Sequence, residues 1–147
     1  MNKLFFLFLI LPICLVAQDN SVKDRDFFNN LTKAEREIIV NGGTEKAFSG
    51  DYVDLYDEGL YVCKACNNPL FKSESKFKSN CGWPSFDDEI KNALIRVQDN
   101  SYEMQRLEIR CANCKGHLGH VFEGERLTEK NLRHCVNSIS IKFISKK

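Results

Sequence analysis

The sequence carries no excess of either charge: 21 Lys and Arg stand against 20 Asp and Glu in 147 residues. Bulk electrostatics therefore gives it no hold on nucleic acid or on an anionic membrane surface, and neither is expected as a partner. Internal repeats and low-complexity tracts are absent, so the chain reads as one domain. Nor is there an apolar run long enough to span a bilayer comfortably. The one candidate, Leu4 to Val16, is short and holds Pro12. Behind the basic start Met1-Asn2-Lys3 it has the form of a secretory signal peptide, with Ala17 the last residue before cleavage. Residues 1–17 are accordingly expected to be removed, leaving an exported, periplasmic or extracellular protein without stable membrane association. Leu15 is larger than the small residue preferred at its position. A lipoprotein anchored at Cys14 is the alternative, and Ile13 before it is a poor match for that processing.

Helix signals are scarce as well. Residues 18–30 are polar and read as a loosely held leader to a domain over 31–147. Thr32-Lys33-Ala34-Glu35 fits a capping box, so a short helix is expected to start there. Ala34, Ile38 and Ile39 give it an apolar face, and Asn41-Gly42-Gly43 stops it. From Gly59 onward the signals are short β runs. Leu60 to Cys63, Ala93 to Val97, Tyr102 to Arg110, His120 to Glu123, Leu132 to Val136 and Ser138 to Ile144 are the expected strands. In the last of these, Ile139, Ile141 and Phe143 fall on one side. The fold class is mainly β: two antiparallel sheets with a short N-terminal helix.

Seven cysteines are present, and six remain once Cys14 leaves with the signal peptide. Three disulfides would suit an exported protein. The spacing favours a metal: Cys63-Lys-Ala-Cys66 and Cys111-Ala-Asn-Cys114 are two knuckles of the kind that close four thiolates around one tetrahedral zinc ion. Such a zinc, one per chain, would be structural, with no position open for catalysis. A thioredoxin-like reading of either knuckle lacks the βαβ context, and a deaminase reading lacks the His-x-Glu that must precede its cysteines.

Cys81 and Cys135 are left over. Cys81 lies among turn residues in Ser79-Asn80-Cys81-Gly82-Trp83-Pro84-Ser85-Phe86, which bears the only Trp of the chain. That composition suggests a loop that presents a ring, with Cys81 as an accessible resolving thiol; a static Cys81–Cys135 disulfide is equally compatible with the sequence. All three histidines, His117, His120 and His134, crowd between Cys114 and Cys135. Two imidazoles within four residues suit proton donation to a leaving oxygen, or the lowering of a thiol pKa.

These motifs carry a resemblance. Cys63-x-x-Cys66, Cys81-Gly-Trp-Pro-Ser-Phe86, Arg110-Cys-x-x-Cys114, His117-Leu-Gly-His-Val-Phe122 and Arg133-His-Cys-Val-Asn-Ser138 resemble the B-type peptide methionine sulfoxide reductases, in family order. Leu31-Thr32, Gly43-Thr-Glu45 and Phe48-Ser-Gly50 are similar to that family's N-terminal region, and the likeness covers about residues 31–144. It implies two antiparallel sheets with a structural zinc opposite the active site. It also implies reduction of methionine-R-sulfoxide, free or more usually in proteins and peptides, with a thioredoxin-like dithiol as reductant. By motif, Cys135 is the nucleophile and Cys81 the recycling cysteine. Trp83 matches the aromatic wall for the substrate methyl group, with Phe122 a further substrate-side aromatic. His117, His120 and Asn137 match the polar groups around the sulfoxide oxygen, His120 being the expected proton donor. His134 departs from the usual Tyr or Phe, which bears on substrate contacts. The competing reading is a non-catalytic extracellular binding module held by zinc or disulfides, which would have no need of two unmatched thiols beside Trp and His clusters.

Overall fold

A computed structural model describes residues 26–146. The expected signal segment, Cys14 included, lies outside the described residues. One helix, α1 (Lys33–Ile39), precedes nine strands: β1 (Gly59–Cys63), β2 (Pro69–Lys72), β3 (Lys76–Phe77), β4 (Ser85–Phe86), β5 (Leu94–Asp99), β6 (Arg106–Cys111), β7 (His117–Glu123), β8 (Leu132–Val136) and β9 (Ile141–Ser145). They form a three-stranded sheet in the order β2-β1-β9 and a six-stranded sheet in the order β3-β4-β8-β7-β6-β5. Every pairing is antiparallel. The mainly β, two-sheet expectation holds.

α1 starts where its capping box places it. The Thr32 side chain accepts from the Glu35 N–H, and the Glu35 carboxylate accepts from the Thr32 N–H at 2.8 Å. Ile38 and Ile39 are buried, but Ala34 is exposed: the helix is only two turns long and shows the core its last turn alone. The core also reaches further back than 31. Phe28, inside the stretch read as a loose leader, is fully buried.

Aromatic rings join the two sheets. Phe71 of β2 stacks on Phe86 of β4 at 4.3 Å between centroids, and Tyr61 of β1 meets Phe86 edge-on at 4.9 Å. Such pairs add about 1 kcal/mol each beyond the area they bury.

β2 and β3 are not among the expected strands, β5 runs to Asp99 and not Val97, and β7 begins at His117 and not His120; three further differences have a local reason. Tyr102 and Glu103 have φ of 54° and 58°, a left-handed backbone that breaks the extended run, so β6 begins only at Arg106. Ser138–Ser140 is a 3₁₀ turn because the Glu45 carboxylate captures the Ser138 and Ile139 N–H groups. Ser85 and Phe86, read as part of a ring-presenting loop, form β4 in the interior of the six-stranded sheet, where Phe86 is fully buried.

Candidate active site

Strand alternation gives the six-stranded sheet two unlike faces. On β6, Leu107, Ile109 and Cys111 stand on the core side, whereas Arg106, Glu108 and Arg110 stand on the other. Register then carries one row across that polar face. Ser85 of β4 opposes Cys135 of β8, Cys135 opposes His120 of β7, and His120 opposes Glu108 of β6. The sequence reading found Cys135 and His120 as separate motifs; the sheet makes them cross-strand neighbours.

Cys81 joins the row from its loop. Its Sγ lies 3.7 Å from Cys135 Sγ, and both residues are free thiols. Ser79 Oγ donates to Cys81 Sγ at 3.0 Å, and Ser85 Oγ lies 3.4 Å from the same sulfur. The Cys135 thiol, and after it Ser79 and Ser85, hold the Cys81 pKa down to about 4 against the effect of burial. Cys135 is pushed well up, first by Cys81 and then by burial, while the Arg133 charge opposes the rise. The pair thus loses one proton readily and the second with difficulty. Moving a proton from Cys135 to the Cys81 thiolate places the charge on the expected nucleophile and leaves Cys81 as a neutral thiol.

Each active-face histidine is backed by an ionised carboxylate. His120 Nε2 lies 2.7 Å from Asp99 Oδ2, and Arg106 reaches the same oxygen at 2.8 Å. Hydrogen bonds from Ser101, and then from His120, hold the Asp99 pKa far below the ordinary carboxylate range. Nε2 therefore carries the proton and donates it, leaving Nδ1 as the ring's free lone pair. Burial lowers the His120 pKa, with Asp99 opposing. His117 Nδ1 lies 2.6 Å from Glu108 Oε1, and Arg110 forks onto the same carboxylate at 2.8 and 2.7 Å. Burial raises the Glu108 pKa, but His117 and Arg110 outweigh it and hold it at about 2. Both imidazoles line a pocket of about 560 Å³ with Gly43, Thr44 and Tyr102.

The remaining predicted residues divide. Trp83 is half-buried, and its indole N–H donates to the Glu45 carbonyl at 3.2 Å. Asn137 spends its oxygen on the Glu45 N–H at 3.0 Å and one N–H on the Leu118 carbonyl at 3.1 Å, which leaves a single N–H for a ligand. One face of the Phe122 ring is covered by the Arg133 guanidinium at 4.4 Å, itself forked onto Glu125. His134 is fully buried on the opposite face from Cys135, with Nε2 2.6 Å from Glu89 and Nδ1 3.0 Å from the Phe86 carbonyl. Its ring therefore points away from the Cys135 thiol. Asp99, Glu108 and Glu45 were missed as site residues. Glu108 could have been found from the Arg-x-Glu-x-Arg alternation on β6; the other two act through contacts that only the fold brings together.

The four knuckle cysteines meet at the far end of β6. Their sulfurs all lie within 4.8 Å of one another, with Cys63–Cys114 and Cys66–Cys111 each at 3.6 Å. Four sulfurs at about 2.3 Å from one zinc ion would stand about 3.8 Å apart, so the set fits a tetrahedral zinc. Both knuckles turn alike. Asn67 and Lys115 take φ of 59° and 67°, and their N–H groups donate back to the Cys63 and Cys111 carbonyls at 2.9 Å. Cys63 ends a strand of one sheet and Cys111 a strand of the other, so the ion would staple the two sheets.

A family model described as the SelR domain matches residues 31–145. Among curated relatives, "Peptide methionine sulfoxide reductase MsrB" of Teredinibacter turnerae is 47% identical over 88% of this chain and 96% of its own. The protein of the same name from Burkholderia lata is 42% identical over 84% of this chain and 87% of its own. "Peptide methionine sulfoxide reductase B9" of Arabidopsis thaliana is 45% identical over 82% and 84%, respectively.

Proposed function

The chain belongs to the SelR-domain family, and from that premise we propose that it reduces methionine-R-sulfoxide, chiefly in oxidised proteins and peptides, back to methionine. The observation that carries this reading is the Cys81–Cys135 pair, two free thiols 3.7 Å apart on the face that also bears carboxylate-backed imidazoles. Methionine sulfoxide calls for a soft nucleophile and a proton for the sulfoxide oxygen.

In this mechanism the Cys135 thiolate attacks the sulfoxide sulfur as the oxygen takes up a proton. The oxygen passes to Cys135, the sulfoxide gains two electrons and leaves as methionine, and Cys135 becomes a sulfenic acid. His120 supplies the proton from Nδ1 when it is an imidazolium, a state that Asp99 stabilises. The remaining Asn137 N–H and the His117 ring complete the polar side, and Trp83 walls the methyl group. The Cys81 thiol then attacks the sulfenic sulfur; an S–S bond forms and water leaves. A thioredoxin-like dithiol returns both cysteines to thiols, itself becoming a disulfide. The four knuckle cysteines would hold zinc as a scaffold with no chemical step. The repair is assigned to an extracytoplasmic compartment after loss of residues 1–17, on the strength of the N-terminal pattern.

Turnover of a peptide bearing each sulfoxide epimer, with a dithiol reductant, tests the reading. Reductant-dependent conversion of the R epimer alone supports it. Absence of conversion, or equal use of both epimers, overturns it.

A further inference from the structure

Glu45 has no assigned part in the chemistry, yet every polar group it owns is spent on the site. Its N–H donates to Asn137 Oδ1 at 3.0 Å, and its carbonyl accepts from the Trp83 indole at 3.2 Å. Its carboxylate accepts from the Ser138 N–H at 2.5 Å and from the Ile139 N–H at 3.1 Å. These last two groups open the 3₁₀ turn that follows the Cys135 strand. An anion there satisfies N–H groups that the turn itself cannot. The fit is close on all sides. At Gly50 a Cβ would collide with the Ser138 side chain and with the Glu45 carboxylate, so only glycine suits that position.

The same segment grips the Trp83 loop a second time. The Phe48 N–H donates to the Gly82 carbonyl at 2.7 Å, and Gly82 holds φ at 95° with Ala47 and Phe48 against it. Residues 45–48 thus brace the exit of the nucleophile strand against the loop that carries Cys81 and Trp83, beside the bond from the Val136 N–H to the Pro84 carbonyl at 3.0 Å.

We propose that Glu45 is the positioning residue for substrate binding, its carboxylate anchoring the segment to the turn after Cys135 so that its carbonyl fixes the plane of the Trp83 indole. This deepens the function proposed above and rests on Trp83 being the wall for the sulfoxide methyl group. Loss of the carboxylate frees the segment and lets the indole rotate, so binding weakens while the thiols and histidines stay in place.

Trp83 is the only tryptophan of the chain, so its fluorescence reports this contact directly. Glu45→Ala is expected to red-shift the emission, raise quenching by acrylamide, and raise KM for an R-sulfoxide peptide about tenfold, the size expected for lost hydrogen bonds to a charged group. The single-turnover rate at saturating peptide should stay within about threefold. Glu45→Gln keeps one acceptor oxygen and the side chain's shape; it should give an intermediate shift and KM, and it serves if the alanine variant does not fold. Unchanged emission and quenching in a folded variant overturn the proposal, as does a fall in the saturated rate with KM unchanged. The fluorescence arm needs no turnover: it decides the Glu45–Trp83 link even if the chain proved inactive on sulfoxides, a result that would sink the functional reading instead.

Discussion

Asp99 and His120 share one short hydrogen bond, 2.7 Å from Oδ2 to Nε2, between the last residue of β5 and the middle of β7. It commits the imidazole's own proton to the carboxylate, so Nδ1 can deliver a proton only after the ring has been charged. Burial keeps the His120 pKa below its ordinary 6.5. The protonated fraction is therefore lost as pH rises through that lowered value. The first chemical step, followed in single turnover, should slow from acid towards neutral pH. Asp99→Asn removes the charge that opposes the lowering, so the same fall should move to still lower pH. A profile unmoved by this substitution would remove His120 as donor.

The thiol pair should respond asymmetrically. Cys135→Ser should abolish sulfoxide reduction, because a hydroxyl is a far weaker nucleophile than a thiolate. It also removes the main cause of the low Cys81 pKa, which should climb from about 4 towards the ordinary thiol value. The pH dependence of alkylation at Cys81 measures this. Cys81→Ser should still release about one equivalent of methionine and leave a sulfenic acid on Cys135 that a dimedone-type reagent traps. Steady turnover with a dithiol protein should collapse in that variant. Equal behaviour of the two variants in single turnover would overturn the roles assigned to them.

Elemental analysis should find about one zinc per chain, and strong chelators should unfold the protein, since binding and folding are coupled at such sites. Cys63→Ser should lower the melting temperature and the metal content together. Metal-free protein with both knuckles oxidised would contradict the clamp.

His134→Phe tests the back of the sheet. The imidazole sits between Glu89 and the Phe86 carbonyl, with Arg96 3.3 Å from its Nε2. Removing it should cost about 1–3 kcal/mol of stability through partners left buried and unpaired. KM for the sulfoxide peptide should stay within about twofold, because the ring faces away from Cys135. A large KM change with unaltered stability would place His134 back among the substrate contacts.

Mass spectrometry of protein from the native host should show a chain starting near Gln18. A lipid on Cys14 would favour the anchored form, and an intact Met1 in the cytoplasmic fraction would rule out export.

Much of this site was legible in the sequence because it is written in contiguous motifs. The two knuckles need only their own spacing to announce a cluster of four sulfurs that could hold a metal, and the capping box of Thr32 and Glu35 announces the helix start. The brief strand expected over Leu132–Val136 has the observed bounds. What escaped was encoded by register or by distant contact. Nothing near Asp99 announces that His120 will meet it across two strand pairings. Glu45 acts through backbone groups, whose partners no side-chain pattern reveals. Ser138 to Ile144 alternates as a strand should, but a carboxylate from far upstream captures its first N–H groups and turns them into a 3₁₀ turn. β4, only two residues long, has no period to detect.

In the proposed function the six cysteines of the described chain divide into four that would hold a metal and two that react, and the division has a bearing on how the protein ages. Oxidants that generate methionine sulfoxide attack thiolates as well. Cys63, Cys111 and Cys114 are buried, whereas Cys66 of the clamp is half-buried, as Cys81 and Cys135 are. Oxidation of the working pair ends in a bond that a dithiol can reopen, while oxidation of the clamp would part the two sheets. Burial therefore shields three of the four clamp sulfurs, and at Cys66 the shielding would fall to a bound zinc ion.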